Sequence, residues 1–244
     1  MNHKDFLQTG IAGLYKEELS AADIVTAGDL NRMMQRVTEN SMERLGVTVS
    51  DLMDRNLLWV ICFSQIQVTR MPEPGESLEI YTWPGAPKLG MYTRRYVFFT
   101  KDGEELLQAA SLFSLVNQKT REMVLPSDAN IIFPVVQMPE EMKLPKMTLK
   151  GPEATSEVRH LVESGEIDIN DHVNNAFYLD WCTDILAQKA PDSAFQAGSI
   201  WISYAREIRP REEVSLQYSQ EKGRLFVKGY VQGEHCFTMD MQLH

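Results

Sequence analysis

The chain has 244 residues, 43% of them hydrophobic and 24% charged, which is typical of a soluble globular protein with a sizeable core. No apolar run reaches the roughly 20 residues of a membrane span, and the formal net charge of −10 disfavours nucleic acid, because neutralising phosphates needs an excess of basic residues. Three cysteines without metal-ligand spacing argue against disulfides and zinc, and with no apolar leader segment they indicate a cytoplasmic protein.

The first predicted helix lies in AGDLNRMMQRVTENSMERLG, residues 27–46. Gly46 is a typical residue for the end of a helix, and apolar residues recur near helical spacing at Leu30, Met33, Met34, Val37 and Leu45. Four strand-like segments separated by Pro and Gly turns follow, at residues 57–70, 76–85, 90–103 and 104–120.

The second half of the sequence repeats this order. The amphipathic run NAFYLDWCTDILAQK, residues 175–189, predicts a helix, and strand-like segments follow at residues 199–210, 212–223, 223–233 and 235–243. The segment MPEPGESLEI aligns with RPREEVSLQY, which pairs Pro72 with Pro210 and Leu78 with Leu216. Five prolines between the halves predict an irregular linker.

One long helix followed by antiparallel strands, repeated once, predicts an α+β double (tandem) hot-dog fold, in which two antiparallel sheets each wrap around a long helix as an internal pseudo-dimer. The expected boundaries are residues 1–125 for the first hot-dog, 126–158 for the linker and 159–244 for the second. The alternative is a pair of independent α+β domains that resemble each other by chance.

The stretch EIDINDHVNNAFYLDW, residues 166–181, carries Asp168, Asn170 and His172 at alternate positions. These short polar residues fit a turn and a helix cap. They also fit a binding site, because alternate positions on an extended segment point the same way. Asn174 and Asn175 lie at the expected start of the helix, where capping is the simpler role and where a backbone N–H could bind an oxyanion.

The same stretch resembles the signature of the acyl-acyl-carrier-protein thioesterases, in which Asp-x-Asn-x-His-Val-Asn-Asn opens the second hot-dog helix. SYAREIRP resembles the family segment whose Tyr-x-Arg-Glu sequence supplies a second carboxylate, here Glu207. In the first half, LWVICFSQIQVTRMPEPGESLEIYTW and ASLFSLVNQKTREM resemble the family's substrate-specificity half. Other hot-dog thioesterases, which act on coenzyme A esters, carry similar Asp-x-x-x-His-Val-Asn-Asn segments.

The resemblance implies hydrolysis of fatty acyl-acyl carrier protein to free fatty acid and holo-carrier in fatty acid biosynthesis, with no metal or organic cofactor. Asp168 would be the catalytic carboxylate, as general base or nucleophile, and Asn170 would hold it or the substrate carbonyl. His172 would serve as a neutral donor or proton shuttle, and Glu207 would orient the water. The repeat alignment places Thr69 opposite Glu207, so we expect the first half to shape the acyl tunnel instead of reacting.

Further contacts are expected from two groups of residues. Substrate contacts are assigned to Met33, Met34, Val37, Asn174 and Asn175. The two methionines are included because the thioether of methionine adapts to an alkyl chain. For the methionines, ordinary core packing is the alternative. Docking of the acidic carrier protein is assigned to Arg94, Arg95, Arg209 and Arg211, with solvated surface charge as the alternative.

Several alternatives stay open at the level of sequence. An acyl-coenzyme A thioesterase and a hot-dog protein that binds acyl groups without cleaving them both fit the same residues. Neither chain length nor saturation of the substrate is specified, and the pseudo-dimer is able to pair again into a homodimer. No membrane partner is expected.

Overall fold

The computed structural model describes residues 13–19, 25–133, 143–189 and 197–243. These residues form two compact units, divided between residues 24 and 25, between residues 32 and 33, and between residues 145 and 146. The helices are α1 (Ala27–Arg44), α2 (Val49–Asp54), α3 (Pro126–Ala129) and α4 (Asn175–Lys189). None of the helices in the described segments has the length and apolar character needed to cross a membrane.

The first unit contains an antiparallel sheet with the strand order β1-β3-β4-β5-β2, and a short strand β6 pairs with β5. Its strands are β1 (Gly13–Glu18), β2 (Leu57–Val68), β3 (Ser77–Lys88), β4 (Met91–Thr100), β5 (Glu105–Asn117) and β6 (Met123–Val124).

The second unit contains an antiparallel sheet with the order β7-β9-β10-β11-β8. Its strands are β7 (Ser156–Leu161), β8 (Ala197–Tyr204), β9 (Glu213–Glu221), β10 (Arg224–Val231) and β11 (Glu234–Leu243). If each strand of one unit is matched in chain order to a strand of the other, the two sheets have the same topology. The predicted repetition of a helix followed by strands is therefore confirmed.

Helix α1 has a capping motif at each end. Thr26 and Asp29 form a capping box, in which the Thr26 hydroxyl accepts the Asp29 N–H at 3.1 Å and the Asp29 carboxylate accepts the Thr26 N–H at 2.9 Å. At the other end, Gly46 has φ +73°, and the Val47 N–H donates to the Met42 carbonyl at 3.0 Å. This is a Schellman motif, which confirms Gly46 as the residue that ends the helix.

Each unit buries the apolar face of a helix against its sheet. In the first unit the Thr38 hydroxyl of α1 contacts the Tyr96 hydroxyl of β4 at 2.8 Å. In the second unit the Tyr178 and Trp181 rings of α4 lie 5.0 and 6.5 Å from the Phe237 ring of β11. A sheet packed on a central helix in this way is the hot-dog arrangement that the sequence predicts.

Each unit contains a loop with the same ion pair and backbone geometry. Matching these two loops corrects the predicted register of the repeat. The guanidinium of Arg70 donates to Glu76 at 2.7 Å, and that of Arg206 donates to Glu212 at 2.8 Å. In both loops the residue before the acid has positive φ, +79° at Gly75 and +67° at Arg211.

Matching Arg70 with Arg206 and Glu76 with Glu212 pairs Met71 with Glu207, and Pro74 with Pro210. The predicted counterparts, Thr69 for Glu207 and Pro72 for Pro210, are wrong by two residues. A slip of two residues keeps the inward and outward alternation of a strand unchanged, so the hydrophobic pattern gives no warning of it.

The proline-rich segment between the halves is more regular than its sequence suggests. Pro126 occupies the first turn of α3, where its missing N–H costs nothing because that position has no helical partner. Strand β7 begins at Ser156 and pairs with β9. Of the five prolines, Pro134 and Pro139 lie outside the described residues.

Candidate active site

The polar stretch before α4 forms a tight hairpin. Ile167 and Val173 make an isolated antiparallel bridge, the Asp168 N–H donates to the His172 carbonyl at 2.8 Å, and the Asp171 N–H donates to the Asp168 carbonyl at 3.2 Å. Asp171 has φ +62°, in the left-handed region that Asp tolerates better than most residues. The expectation of an extended segment with alternate side chains on one face is therefore wrong for this loop.

One oxygen of the Asp168 carboxylate supports the hairpin, and the other is open to a ligand. Its Oδ1 accepts the Asn170 N–H at 2.8 Å, an Asx turn that explains why the chain folds back here. Its Oδ2 accepts no hydrogen bond from the residues that the structure describes. Asn170 is exposed, and its side-chain amide has no hydrogen-bond partner within the same described segments. One carboxylate oxygen and one amide are thus available to a ligand.

The side chains of His172 and Glu207 form a polar pair beside this hairpin. The His172 Nε2 lies 3.0 Å from the Glu207 Oε2, with 18% of the imidazole and 36% of the carboxylate side chain exposed. The two residues come from separate segments, the hairpin before α4 and the loop after β8, and the Val173 N–H joins these segments by donating to the Ile208 carbonyl at 2.9 Å. A carboxylate in this position fixes the orientation of an imidazole.

The N-terminus of α4 combines a cap with an open donor. The Asn174 Oδ1 accepts the Ala176 N–H at 2.9 Å, which confirms the capping role expected for Asn174. The Asn175 N–H donates to none of the described residues, whereas its carbonyl accepts the Tyr204 hydroxyl at 3.2 Å. The helix therefore presents a free N–H at its positive end.

Tyr178 is a neighbour of this site that the sequence analysis missed. Its hydroxyl accepts the Ile208 N–H at 3.2 Å and so supports the segment that carries Glu207. Burial raises the pKa of Tyr178 above the ordinary value of a phenol. The available signal was its position one helical turn after Asn174, which directs both side chains to the same side of α4.

The position directly after Glu207 carries no thiol. The residue after Glu207 is Ile208, which is fully buried. Burial raises the pKa of Cys182 and, to a smaller extent, that of Cys236, and a protonated thiol is a poor nucleophile. Cys62 lies in the first unit, on β2. Within the described residues no group of three or more His, Cys, Asp or Glu side chains is placed to hold a metal ion.

The other predicted contact residues lie in different environments. Met33, Met34 and Val37 are buried along α1. The docking role predicted for Arg94 is wrong. Its guanidinium is buried beneath α1 and donates to Ser41 at 3.0 Å, so a docking protein cannot reach it.

The remaining arginines proposed for docking stay candidates. Arg95 is half-buried, with one guanidinium nitrogen 3.5 Å from the Thr93 hydroxyl. Arg209 and Arg211 are exposed on the loop that follows Glu207.

An antiparallel sheet wrapped around a helix occurs twice in this chain, with the same strand order each time. This arrangement defines a double hot-dog protein. Residues 15–129 match the model of the acyl-ACP thioesterase N-terminal domain, and residues 150–237 match that of the C-terminal domain. The chain therefore belongs to the acyl-ACP thioesterase family.

Plant enzymes are among its relatives in sequence. The chain is 29% identical over 199 residues to a chloroplastic dodecanoyl-[acyl-carrier-protein] hydrolase of Cinnamomum camphora, an alignment that covers 71% of this chain and 49% of the relative. It is 26% identical over 219 residues to the chloroplastic oleoyl-acyl carrier protein thioesterase 1 of Arabidopsis thaliana, covering 81% and 59%. The chain thus spans about half the length of the plant relatives it matches.

Solved structures share the fold over almost the whole chain. An acyl-ACP thioesterase from Bacteroides thetaiotaomicron superposes with a TM-score of 0.83 at 18% identity, covering 96% of this chain and 98% of the other. The 12:0-ACP thioesterase from Umbellularia californica superposes with a TM-score of 0.78 at 22% identity, with the same coverage.

Proposed function

We propose that this protein hydrolyses the thioester of fatty acyl-acyl carrier protein and releases a free fatty acid and the holo-carrier. The observation that carries this proposal is the contact of His172 with Glu207 at 3.0 Å, beside a hairpin whose Asp168 keeps one carboxylate oxygen open. Thioester hydrolysis needs a proton acceptor for water, a proton donor for the leaving sulfur and donors for the developing oxyanion.

Asp168 is the proposed general base. Its Oδ1 is held by the Asn170 N–H, which fixes the carboxylate plane, and the open Oδ2 accepts a proton from the attacking water. The resulting hydroxide adds to the thioester carbonyl carbon and gives a tetrahedral intermediate. Asn170 is the proposed amide donor to the substrate carbonyl or to the water, because its side chain makes no competing bond in the described residues.

His172 is the proposed proton donor to the leaving group. When the C–S bond breaks, the sulfur of the carrier's prosthetic arm leaves as a thiolate and takes a proton from the imidazole, which regains one from Asp168 through solvent. Glu207 holds the ring in position through its 3.0 Å contact. This role differs from the orientation of water that the sequence suggested, and the direct contact between the two side chains favours it.

The oxyanion of the intermediate is assigned to the N-terminus of α4. The Asn175 N–H has no partner within the described residues, and the helix dipole adds partial positive charge at this end. Backbone donors that are fixed before the reaction stabilise the transition state without a reorganisation cost.

The acyl chain is assigned to the buried apolar face of α1 that carries Met33, Met34 and Val37. Methionine side chains are flexible enough to repack around an alkyl chain. Docking of the acidic carrier is assigned to Arg209 and Arg211, because both are exposed on the loop directly after Glu207.

The test uses one acyl group on two carriers. Purified protein is incubated with dodecanoyl-acyl carrier protein or dodecanoyl-coenzyme A, and the released fatty acid is quantified by mass spectrometry. Preferred turnover of the carrier-protein ester supports the proposal. Preferred turnover of the coenzyme A ester assigns the chain to the acyl-coenzyme A thioesterases, and tight binding without release assigns it to non-catalytic acyl binding.

A further inference from the structure

Glu166, two residues before Asp168, has a buried carboxylate with three kinds of donor around it. Only 8% of the residue is exposed. Its Oε1 accepts the Trp181 Nε1–H at 2.7 Å, and its Oε2 accepts the Glu163 N–H at 2.8 Å. The His160 Nε2 lies 2.9 and 3.0 Å from the two oxygens, a geometry that fits donation by Nε2–H.

These donors come from separate elements of the second unit. His160 belongs to β7, Trp181 belongs to α4, and Glu163 precedes the 3₁₀ turn Ser164–Glu166. The His160 and Trp181 rings also contact each other, with centroids 4.6 Å apart. The Glu166 carboxylate therefore ties a strand, a helix and a turn together at one point.

The main chain of Glu166 starts the hairpin that carries the candidate catalytic groups. Its carbonyl accepts the Asn174 N–H at 2.9 Å. The next step along the hairpin is the bridge of Ile167 with Val173, and the step after that is the Asp168 N–H donating to the His172 carbonyl at 2.8 Å. These main-chain bonds thus fix the positions of Asp168 and His172 relative to Glu166, whose side chain is held by its three donors.

The other attachment of the hairpin leads to Glu207. The Val173 N–H donates to the Ile208 carbonyl, so the hairpin is held on one side by the segment of Glu207 and on the other by Glu166. Loss of the second attachment leaves the hairpin free to pivot about the first, which changes where Asp168 and His172 lie relative to a bound thioester.

We propose that Glu166 is a positioning residue for thioester hydrolysis, fixed by Trp181 and His160, and that it sets the places of Asp168 and His172. The proposal rests on the proposed function. It differs from a purely structural role, in which the same contacts would stabilise the fold without affecting the reaction. Misplacement of reacting groups by about 1 Å costs on the order of 10²-fold in rate, so the two roles separate in kcat.

The main variant is Glu166→Gln, which keeps the size of the side chain but replaces one accepting oxygen by an NH₂ group that faces an existing donor. Its matched control is Val227→Ala, which removes packing at a fully buried position of β10 in the same unit. Both variants are compared with the wild type by thermal unfolding and by steady-state hydrolysis of dodecanoyl-acyl carrier protein, well below their unfolding temperatures.

The expected result is a fall of kcat by at least about tenfold in Glu166→Gln, with KM little changed, because positioning affects the reacting groups more than substrate binding. Val227→Ala is expected to keep the wild-type kcat. A kcat for folded Glu166→Gln equal to that of the wild type or of Val227→Ala would overturn the proposal. If Glu166→Gln does not fold, Trp181→Phe decides, because it removes one donor and leaves the carboxylate. A lowered kcat supports the proposal and an unchanged kcat overturns it.

A second readout separates this proposal from the proposed function. Amide hydrogen exchange of Asp168 and Asn174 reports the hairpin directly, whether or not the wild type hydrolyses acyl-acyl carrier protein. An inactive wild type overturns the proposed function. In that case faster exchange in Glu166→Gln than in Val227→Ala still supports anchoring by Glu166, and equal exchange overturns it.

Discussion

Replacement of Asp168 separates its structural role from its proposed catalytic one. In Asp168→Asn the side-chain oxygen that accepts the Asn170 N–H at 2.8 Å is kept, and the two main-chain bonds of the hairpin are unaffected. The free energy of unfolding should therefore change by less than about 0.5 kcal/mol. Turnover should fall by about 10²–10⁴-fold, since the amide cannot accept the proton of the water. This corresponds to roughly 3–5 kcal/mol in the activation barrier.

The companion variant Asp168→Ala removes the acceptor as well as the base. Loss of one partly exposed hydrogen bond costs about 0.5–1.5 kcal/mol, which for a chain of this size lowers the melting temperature by roughly 2–4 °C per kcal/mol. The assay follows thiol release from dodecanoyl-acyl carrier protein, with unfolding followed by circular dichroism. Asp168→Ala also guards against deamidation of the Asn variant back to Asp. Near-normal turnover in folded Asp168→Asn would refute the assignment of Asp168 as base.

Three further outcomes are expected. Met34→Trp should shift the released acids toward shorter chains in product analysis, because filling an apolar channel excludes methylenes worth about 0.8 kcal/mol each. An unchanged product profile in the folded variant would mean that the acyl chain binds elsewhere. Arg211→Ala should lower kcat/KM for the carrier-protein ester but not for the coenzyme A ester, less so at high salt; equal loss on both would exclude a docking role. The Arg206 hydrogen bond lowers the pKa of Glu212, so the stability it contributes is complete above the unfolded value of about 4.3 and is lost as pH falls through the lower folded value; Glu212→Gln should show a flatter loss of melting temperature in acid, and parallel curves would contradict this.

The parts of the fold that sequence reasoning predicted are those with local signals. Helix α4 spans the same residues, 175–189, as the amphipathic run, because the Asn174 cap marks its start chemically. The turn at Lys222 and Gly223 was also predictable, since φ values of +48° and +75° are those that such a hairpin requires.

The parts that were missed depend on contacts between distant residues. The register of the repeat was misjudged because its true markers are ion pairs across a loop, whereas the apolar pattern has a period of two. His160 matches no motif in the sequence, yet it contacts the Glu166 carboxylate from β7. Nothing local in the sequence joins a histidine on an edge strand to a carboxylate before a helix.

The repeat also bears on why the proposed reaction centre is assigned to the second half alone. The shared loop geometry places Met71, which is only 6% exposed, where the second unit has Glu207. Thr26 and Asn174 both cap the long helix of their half of the chain, and matching the caps places Ile24 opposite His172 in the sequence. The first half therefore lacks the carboxylate and the imidazole alike.

A carboxylate restored to the first half should not restore activity. In the double variant Glu207→Gln with Met71→Glu, the new carboxylate would be buried without an imidazole to pair with, and burial of an unpaired charge is costly. We expect the double variant to turn over dodecanoyl-acyl carrier protein no faster than Glu207→Gln alone and to melt at a lower temperature. Recovered turnover in the double variant would mean that position 71 reaches a working proton donor, and the division of labour inferred from Met71 and Glu207 would then be wrong.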